Sequence, residues 1–191
     1  MSSEKKNNNT IYQNIHQDII NRCISGDQKA QFQLYKLYYR AMYNTSLRIV
    51  NDTMEAEDIM QESFLSAFDK MDTYEGKVSF GAWLKRIVIN NSLDSLKRKK
   101  VDFESIDEYP VDLTEERNDQ LETDKYNFNI EEIREALPLL PEKYRVVFSL
   151  YLLEGYDHEE IAGILGISSS TSRSQLVRAK QKLLKILSEN Q

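Results

Sequence analysis

Tyr156 to Leu187 reads YDHEEIAGILGISSSTSRSQLVRAKQKLLKIL. Asp157 is a helix-capping residue type with Glu160 three positions later, the spacing at which two side chains satisfy each other's free backbone N–H groups. Ile161, Ala162, Ile164 and Leu165 supply a short apolar face, and Gly166 suits the left-handed conformation that ends a helix. Ile167 plugs the turn and Ser168 caps a second helix, predicted over residues 169–187. Leu176, Ala179, Leu183 and Leu187 recur at helical spacing and form its buried stripe. The other side carries Arg173, Ser174, Arg178 and Gln181, flanked by Lys180, Lys182 and Lys185, and no acid stands between Ser168 and Ser188. Short helix, glycine turn and basic helix make a helix-turn-helix pattern. A helix fits the major groove, where Arg, Ser and Gln can bond base edges while lysines neutralise phosphates. A helical hairpin with a solvated basic face is the plainer alternative, and the cap, glycine and serine spacing weighs against it.

Outward from this stretch, the chain of 191 residues has room for one or two domains. Six Gly and three Pro argue against a turn-rich β fold, and 40% apolar residues allow a core. No apolar run reaches bilayer length and MSSEKKNNNT lacks a signal-peptide pattern, so no membrane insertion is expected. A single cysteine, Cys23, excludes an internal disulfide, fits a reducing compartment and is expected as a small buried residue. His16 and His158 stand apart with no Cys partners, so neither a metal nor a cofactor is expected. The net charge of −6 runs against DNA binding until its distribution is considered. Acids crowd between Asp102 and Asp124, whereas cations gather at 85–100 and 173–185. Two basic patches and an acidic strap are compatible with local DNA binding.

Residues 1–13 are polar and Asn-rich, and are expected to be disordered. Helices are predicted over about 14–25 and 28–50, the second loaded with Phe32, Leu34, Tyr35, Leu37, Tyr38, Met42 and Tyr43 as core. A third, about 54–71, buries Met60, Phe64, Ala67, Phe68 and Met71. Its other face carries Asp58, Gln61, Glu62 and Leu65, which composition alone reads as a solvated face sooner than as a docking patch. A loop with Gly76 leads to Ser79, which caps a fourth helix over about 80–99. That helix buries Phe80, Leu84, Ile87 and Val88, places Trp83, Lys85, Arg86, Asn90 and Asn91 near the loop, and ends in Lys97–Lys100. Aromatics interleaved with cations suit unpaired nucleic acid, and an amphipathic helix with a cationic last turn accounts for them equally well. Residues 101–129 are acidic, without helical period, and read as a flexible linker. Helical patterns resume at about 130–138 and 142–153. The expected fold is all-α: a helical bundle over 14–100 and a four-helix domain with the helix-turn-helix over 130–191.

Three of these stretches together resemble the sigma-70 family of bacterial RNA polymerase sigma factors, specifically its compact extracytoplasmic-function (ECF) group. AEDIMQESF at 56–64 looks like the family's acidic core-binding helix, FGAWLKRIVINN at 80–91 like its promoter-melting helix, and 160–180 like its −35-reading motif. The resemblance implies that Asp58, Gln61, Glu62 and Leu65 face the clamp helices of the largest subunit of core RNA polymerase. The loop from Tyr74 through Lys77 to Ser79 would capture a flipped −10 base. Phe80, Trp83, Arg86, Asn90 and Asn91 would line or support the opened strand. Ser170, Thr171, Arg173, Ser174, Gln175 and Arg178 would meet the −35 duplex. The protein implied is a cytoplasmic, non-enzymatic subunit that directs transcription initiation at promoter DNA, with room for an anti-sigma partner. Two residues depart from the family pattern. Ser172 stands where a β-branched apolar residue is usual, predicting looser helix packing, and Gln175 where a second basic residue is usual, predicting a weaker phosphate grip or a shifted base preference. The alternative reading is a dimeric helix-turn-helix regulator that touches DNA only through 156–187 and ignores polymerase. A catalytic role for the Asp58/Glu62 pair has no accompanying histidine, metal pattern or phosphate-cradling loop.

Overall fold

The computed structural model describes residues 15–99, 103 and 130–189. The expectations for 1–13 and for nearly all of 101–129 therefore lie outside the described residues. Every regular element among those described is helical. In chain order these are α1 (Gln17–Ile24), α2 (Gln28–Val50), α3 (Thr53–Asp69), a 3-10 turn (Met71–Thr73) and α4 (Phe80–Arg98). After residue 129 come α5 (Ile130–Ala136), a 3-10 turn (Leu137–Leu139), α6 (Glu142–Phe148), which continues as a π-helical turn (Ser149–Leu153), α7 (His158–Leu165) and α8 (Ser169–Glu189). The chain forms two compact units, one of residues 1–46 and 54–91, the other of 47–53 and 92–191.

In the first unit, Gly26 (φ +81°) turns the chain and Asp27 caps α2, its Oδ1 accepting from the N–H groups of Lys29 (2.8 Å) and Ala30 (3.2 Å). Arg22 holds the other carboxylate oxygen from the preceding helix at 2.5 Å. The core gathers Ile20, Leu34, Met42, Phe64, Phe80 and Leu84, with tyrosines of α2 packed around it. Gly81 is needed where α4 meets α2, because a Cβ there would stand 2.9 Å from the Tyr38 ring. Cys23 is buried, and desolvation pushes its thiol pKa up to about 11, so it packs as a small apolar residue.

The helix ends differ from the sequence reading. α1 begins at Gln17 rather than near 14, and α3 stops at Asp69, where the Lys70 N–H divides itself between the Ser66 and Ala67 carbonyls and the chain tightens into a 3-10 turn. Phe32 and Leu37, read as core, are 57% and 48% exposed, because α2 already buries its tyrosine side. The ammonium of Lys36 lies 4.5 Å from the centre of the Phe32 ring, in the usual geometry for an exposed aromatic.

In the second unit Arg145 is only 3% exposed and donates to the carbonyls of Leu140 (3.0 Å), Ile49 (3.2 Å) and Arg48 (3.3 Å). It thus satisfies carbonyls in the last turn of α2 that the helix itself leaves without partners. Burial lowers the pKa of this guanidinium from the ordinary arginine value. Arg48 forms an ion pair with Glu154, whose side chain is 2% exposed, and the Asn51 amide donates to the Pro138 carbonyl at 3.0 Å. Asn51 itself takes a left-handed φ of +57°, which asparagine tolerates and which ends α2. The helix expected over 142–153 loses its α register after Phe148, where the π turn shifts the later residues.

Candidate polymerase-docking and nucleic-acid surfaces

On α3, Ala56, Ile59, Met60, Ser63, Phe64 and Ala67 are buried, so the helical period turns Asp58, Gln61, Glu62 and Leu65 outward. All four are exposed, and Leu65 is 67% exposed. Gln61 is tethered to Glu57 by a hydrogen bond of 3.3 Å. Two carboxylates beside an exposed leucine present anionic charge around an apolar centre, a chemistry that suits a cationic, partly apolar partner. On the inner side, Ser63 donates to the Ile59 carbonyl (2.7 Å) and accepts from the amide of Asn91 on α4 (2.9 Å). That bond takes Asn91 out of the solvent-facing set and makes it a brace between α3 and α4.

The loop before α4 is fixed by its own residues. The Tyr74 hydroxyl donates to the Val78 carbonyl (2.6 Å), and Ser79 Oγ accepts from the Ala82 N–H (3.2 Å) as the cap of α4. Tyr74, Phe80 and Trp83 form an aromatic cluster, with ring centres 5.3 to 5.7 Å apart. Phe80 is its buried floor, fully removed from solvent, so it supports the half-buried Tyr74 and Trp83 and is closed to a base. Ser79, Trp83, Arg86 and Asn90 follow one helical stripe, with Arg86 and Asn90 exposed. Lys77 is exposed and paired with Glu75. The arrangement offers a ring edge, amide donors and a guanidinium along one line, a set that can stack and hold unpaired bases.

The helix-turn-helix forms as its spacing predicts. Asp157 Oδ1 accepts from the Glu160 N–H (2.8 Å) while Glu160 Oε2 accepts from the Asp157 N–H (2.9 Å). Gly166 is left-handed (φ +71°), and the Gly166 and Ile167 N–H groups both return to the Ala162 carbonyl. Ser168 Oγ accepts from the Thr171 N–H at 2.9 Å. On α8, Ser170 and Arg173 are exposed and Thr171 and Ser174 half-buried. Arg173 lies 3.6 Å from the exposed Glu159, a solvated pair that is weak enough to exchange for a phosphate.

Two residues of the expected −35 set are elsewhere. Gln175 is 2% exposed and its side-chain amide donates to the carbonyl of Phe103, and Arg178 is 9% exposed. Their positions fall on the inward side of α8, beside the Leu176–Ala179 stripe, so the face the sequence assigned to them is occupied by the unit's interior. Conversely, Ser172 and His158 carried no functional reading, yet Ser172 is fully buried with its Oγ 2.9 Å from His158 Nδ1. Nothing local in the sequence pairs positions 14 apart across a turn. Among the described residues, no group of three or more His, Cys, Asp or Glu is placed to hold a metal ion, and no helix is long and apolar enough to cross a membrane.

Known proteins resemble the whole layout. The family described as "Sigma-70 region 2" matches residues 34–101, and "Sigma-70, region 4" matches residues 130–183. "ECF RNA polymerase sigma factor SigW" of Bacillus subtilis is 30% identical over 176 residues, covering 85% of this chain and 91% of that protein. "RNA polymerase sigma-H factor" of Pseudomonas aeruginosa is 28% identical, covering 90% and 93%. Among solved structures, the sigma factor RpoE in complex with the anti-sigma factor NepR from Bartonella quintana superposes with a TM-score of 0.53 at 22% identity, covering 83% of this chain and 97% of that one, and this likeness concerns the fold.

Proposed function

This chain belongs to the sigma-70 family, in its ECF group, and from that membership we propose how its surfaces divide the work of starting transcription. It is a sigma factor that directs DNA-templated transcription initiation, and its partners are core RNA polymerase and promoter DNA. Asp58, Gln61, Glu62 and Leu65 dock on the clamp helices of the polymerase's largest subunit. The observation that carries this assignment is that all four are exposed on one face of α3 while the opposite face is built into the core.

We assign −10 recognition to residues 74–91. Tyr74, Trp83, Arg86 and Asn90 contact the opened strand, with Lys77 and Ser79 at the loop. Phe80 and Asn91 support them from beneath. Melting costs a few kcal/mol per unstacked step, which stacking on these rings and contacts to the backbone offset. Ser170, Thr171, Arg173 and Ser174 meet the −35 duplex, and the cationic flank of α8 neutralises its phosphates. Functionally the chain divides into 14–100, an acidic segment at 101–129 whose Phe103 is anchored on α8, and 130–191. The acidic segment's charge suits a positively charged channel in the polymerase. Covalent chemistry belongs to the polymerase, as sigma factors in general are not enzymes, and the work takes place in the bacterial cytoplasm. One solved neighbour, the sigma factor RpoE of Bartonella quintana, is in a co-crystal with the anti-sigma factor NepR, and we assign an anti-sigma factor as a further partner of this chain.

Co-purification tests the assignment. Tagged protein expressed in its bacterial host is expected to bring down the core polymerase subunits and, when purified alone, to run as a monomer. A stable dimer that brings down no polymerase contradicts it.

A further inference from the structure

The buried stripe of α8 runs Ser172, Leu176, Ala179, Leu183, Leu187. Its first position is polar, and a hydroxyl with no exposure to solvent must find a partner or lose free energy. The partner is Nδ1 of His158, at 2.9 Å. His158 opens α7, directly after the Asp157 cap, and its ring stacks on Tyr151 with centres 4.5 Å apart and planes 21° apart. Tyr151 lies in the π turn that follows α6. One chain of contacts, Tyr151 to His158 to Ser172, therefore ties the π turn after α6 to both helices of the helix-turn-helix.

An apolar side chain at position 172 would pack acceptably over a range of helix rotations, whereas a hydrogen bond is directional and weakens steeply off its axis. Successive residues are about 100° apart around a helix, so fixing Ser172 inward fixes where its neighbours on both sides point. Those neighbours include Thr171 and Arg173 of the proposed reading set. We propose that His158 and Ser172 form a pin that sets the rotation of α8 on its support, and so act as positioning residues for −35 base preference without touching DNA. The inference rests on the reading that α8 meets the −35 duplex. It turns the sequence's apparent defect at 172 into a device: the pin replaces apolar packing with a directional contact.

The test is in vitro transcription by the reconstituted holoenzyme on a promoter library randomised across the −35 element, with sequencing of the transcribed templates. Ser172→Ala and His158→Ala are each expected to shift relative use of the preferred −35 bases by roughly fivefold, as expected for displaced base-edge contacts. The double variant is expected to shift it no further, because both singles remove the same bond. Ser172→Thr keeps the hydroxyl and restores the wild-type preference. If either alanine variant melts below the assay temperature, His158→Asn, which retains a hydrogen-bonding atom near the Nδ1 position, takes its place with the expectation of partial rescue. Unchanged −35 preference in the alanine variants, or additive effects in the double, overturns the pin. Arg173→Ala is run alongside as the control for the parent reading. If Arg173→Ala leaves −35 preference unchanged, Arg173 leaves the reading set; if neither it nor the pin variants shift preference, the reading of α8 fails together with the pin. If Arg173→Ala changes preference while the pin variants do not, only the pin fails.

Discussion

Gln175 and Phe103, far apart in sequence, share one buried hydrogen bond: the side-chain amide of Gln175 donates to the main-chain carbonyl of Phe103, with 2% and 7% of the two residues exposed. Phe103 is thereby fastened to the inward side of α8. Gln175→Leu conserves most of the volume but leaves that carbonyl without its donor, and is expected to cost about 1–3 kcal/mol of stability. Phe103→Ala removes a buried ring and is expected to cost about 3–5 kcal/mol. Urea unfolding of the purified protein checks both. Stability unchanged in both variants would show that the contact contributes nothing.

Trp83 and Phe80 belong to one aromatic cluster and are predicted to separate function from folding. Trp83→Ala, at a half-buried position beside Tyr74, is expected to reduce promoter opening with a small change in melting temperature. Phe80→Ala empties a fully buried site and is expected to destabilise the protein by about 3–5 kcal/mol. Permanganate reactivity of unpaired thymines reports opening, and calorimetry reports stability. Equal opening by wild type and Trp83→Ala would remove the tryptophan from the strand path.

Arg145 is predicted to be the most sensitive charged position in the second unit. Arg145→Met fills similar space but strips three carbonyls of their donor, an expected loss of about 2–4 kcal/mol. The exposed Arg134→Met is the matched control, expected within about 0.5 kcal/mol of wild type. Thermal melting compares the two.

Asp27 gives a pH signature. Its hydrogen bond from Arg22, followed by those from the α2 backbone, holds its pKa below the ordinary carboxylate value of 3.8. A lowered folded-state pKa contributes stability in full above that ordinary value and loses it as pH falls through the folded value. Melting temperatures of wild type and Asp27→Asn are therefore expected to differ near neutral pH and to converge in acid as pH falls through the folded-state value, which lies below 3.8. Parallel curves down to pH 2 would count against the linkage.

What the sequence made legible was local. Asp157, Glu160, Gly166 and Ser168 each meet a backbone requirement within a few residues, and the structure realises every one. The exposed face of α3 followed from period alone. The misreadings concern residues whose partners are remote. Gln175 and Arg178 looked outward because polar residues usually do, yet Phe103 lies against Gln175. Phe32 looked like core, yet α2 buries only one side of an aromatic-rich surface. Ser172 looked like a packing fault until His158 supplied its bond. Arg145 carried no signal at all, because two of the three carbonyls it satisfies belong to another helix, α2.

The proposed docking face of α3 bears the central claim: on this account, promoter reading depends on seating that face on the polymerase. Asp58→Arg combined with Glu62→Arg reverses the charge of two exposed side chains and leaves the core untouched. The decisive measurement is capture of purified core polymerase by this double variant and by wild type, with circular dichroism melting of both. The account predicts wild-type melting, loss of polymerase capture, and loss of promoter-directed transcripts from a genomic fragment library. Normal capture by a folded double variant would contradict it.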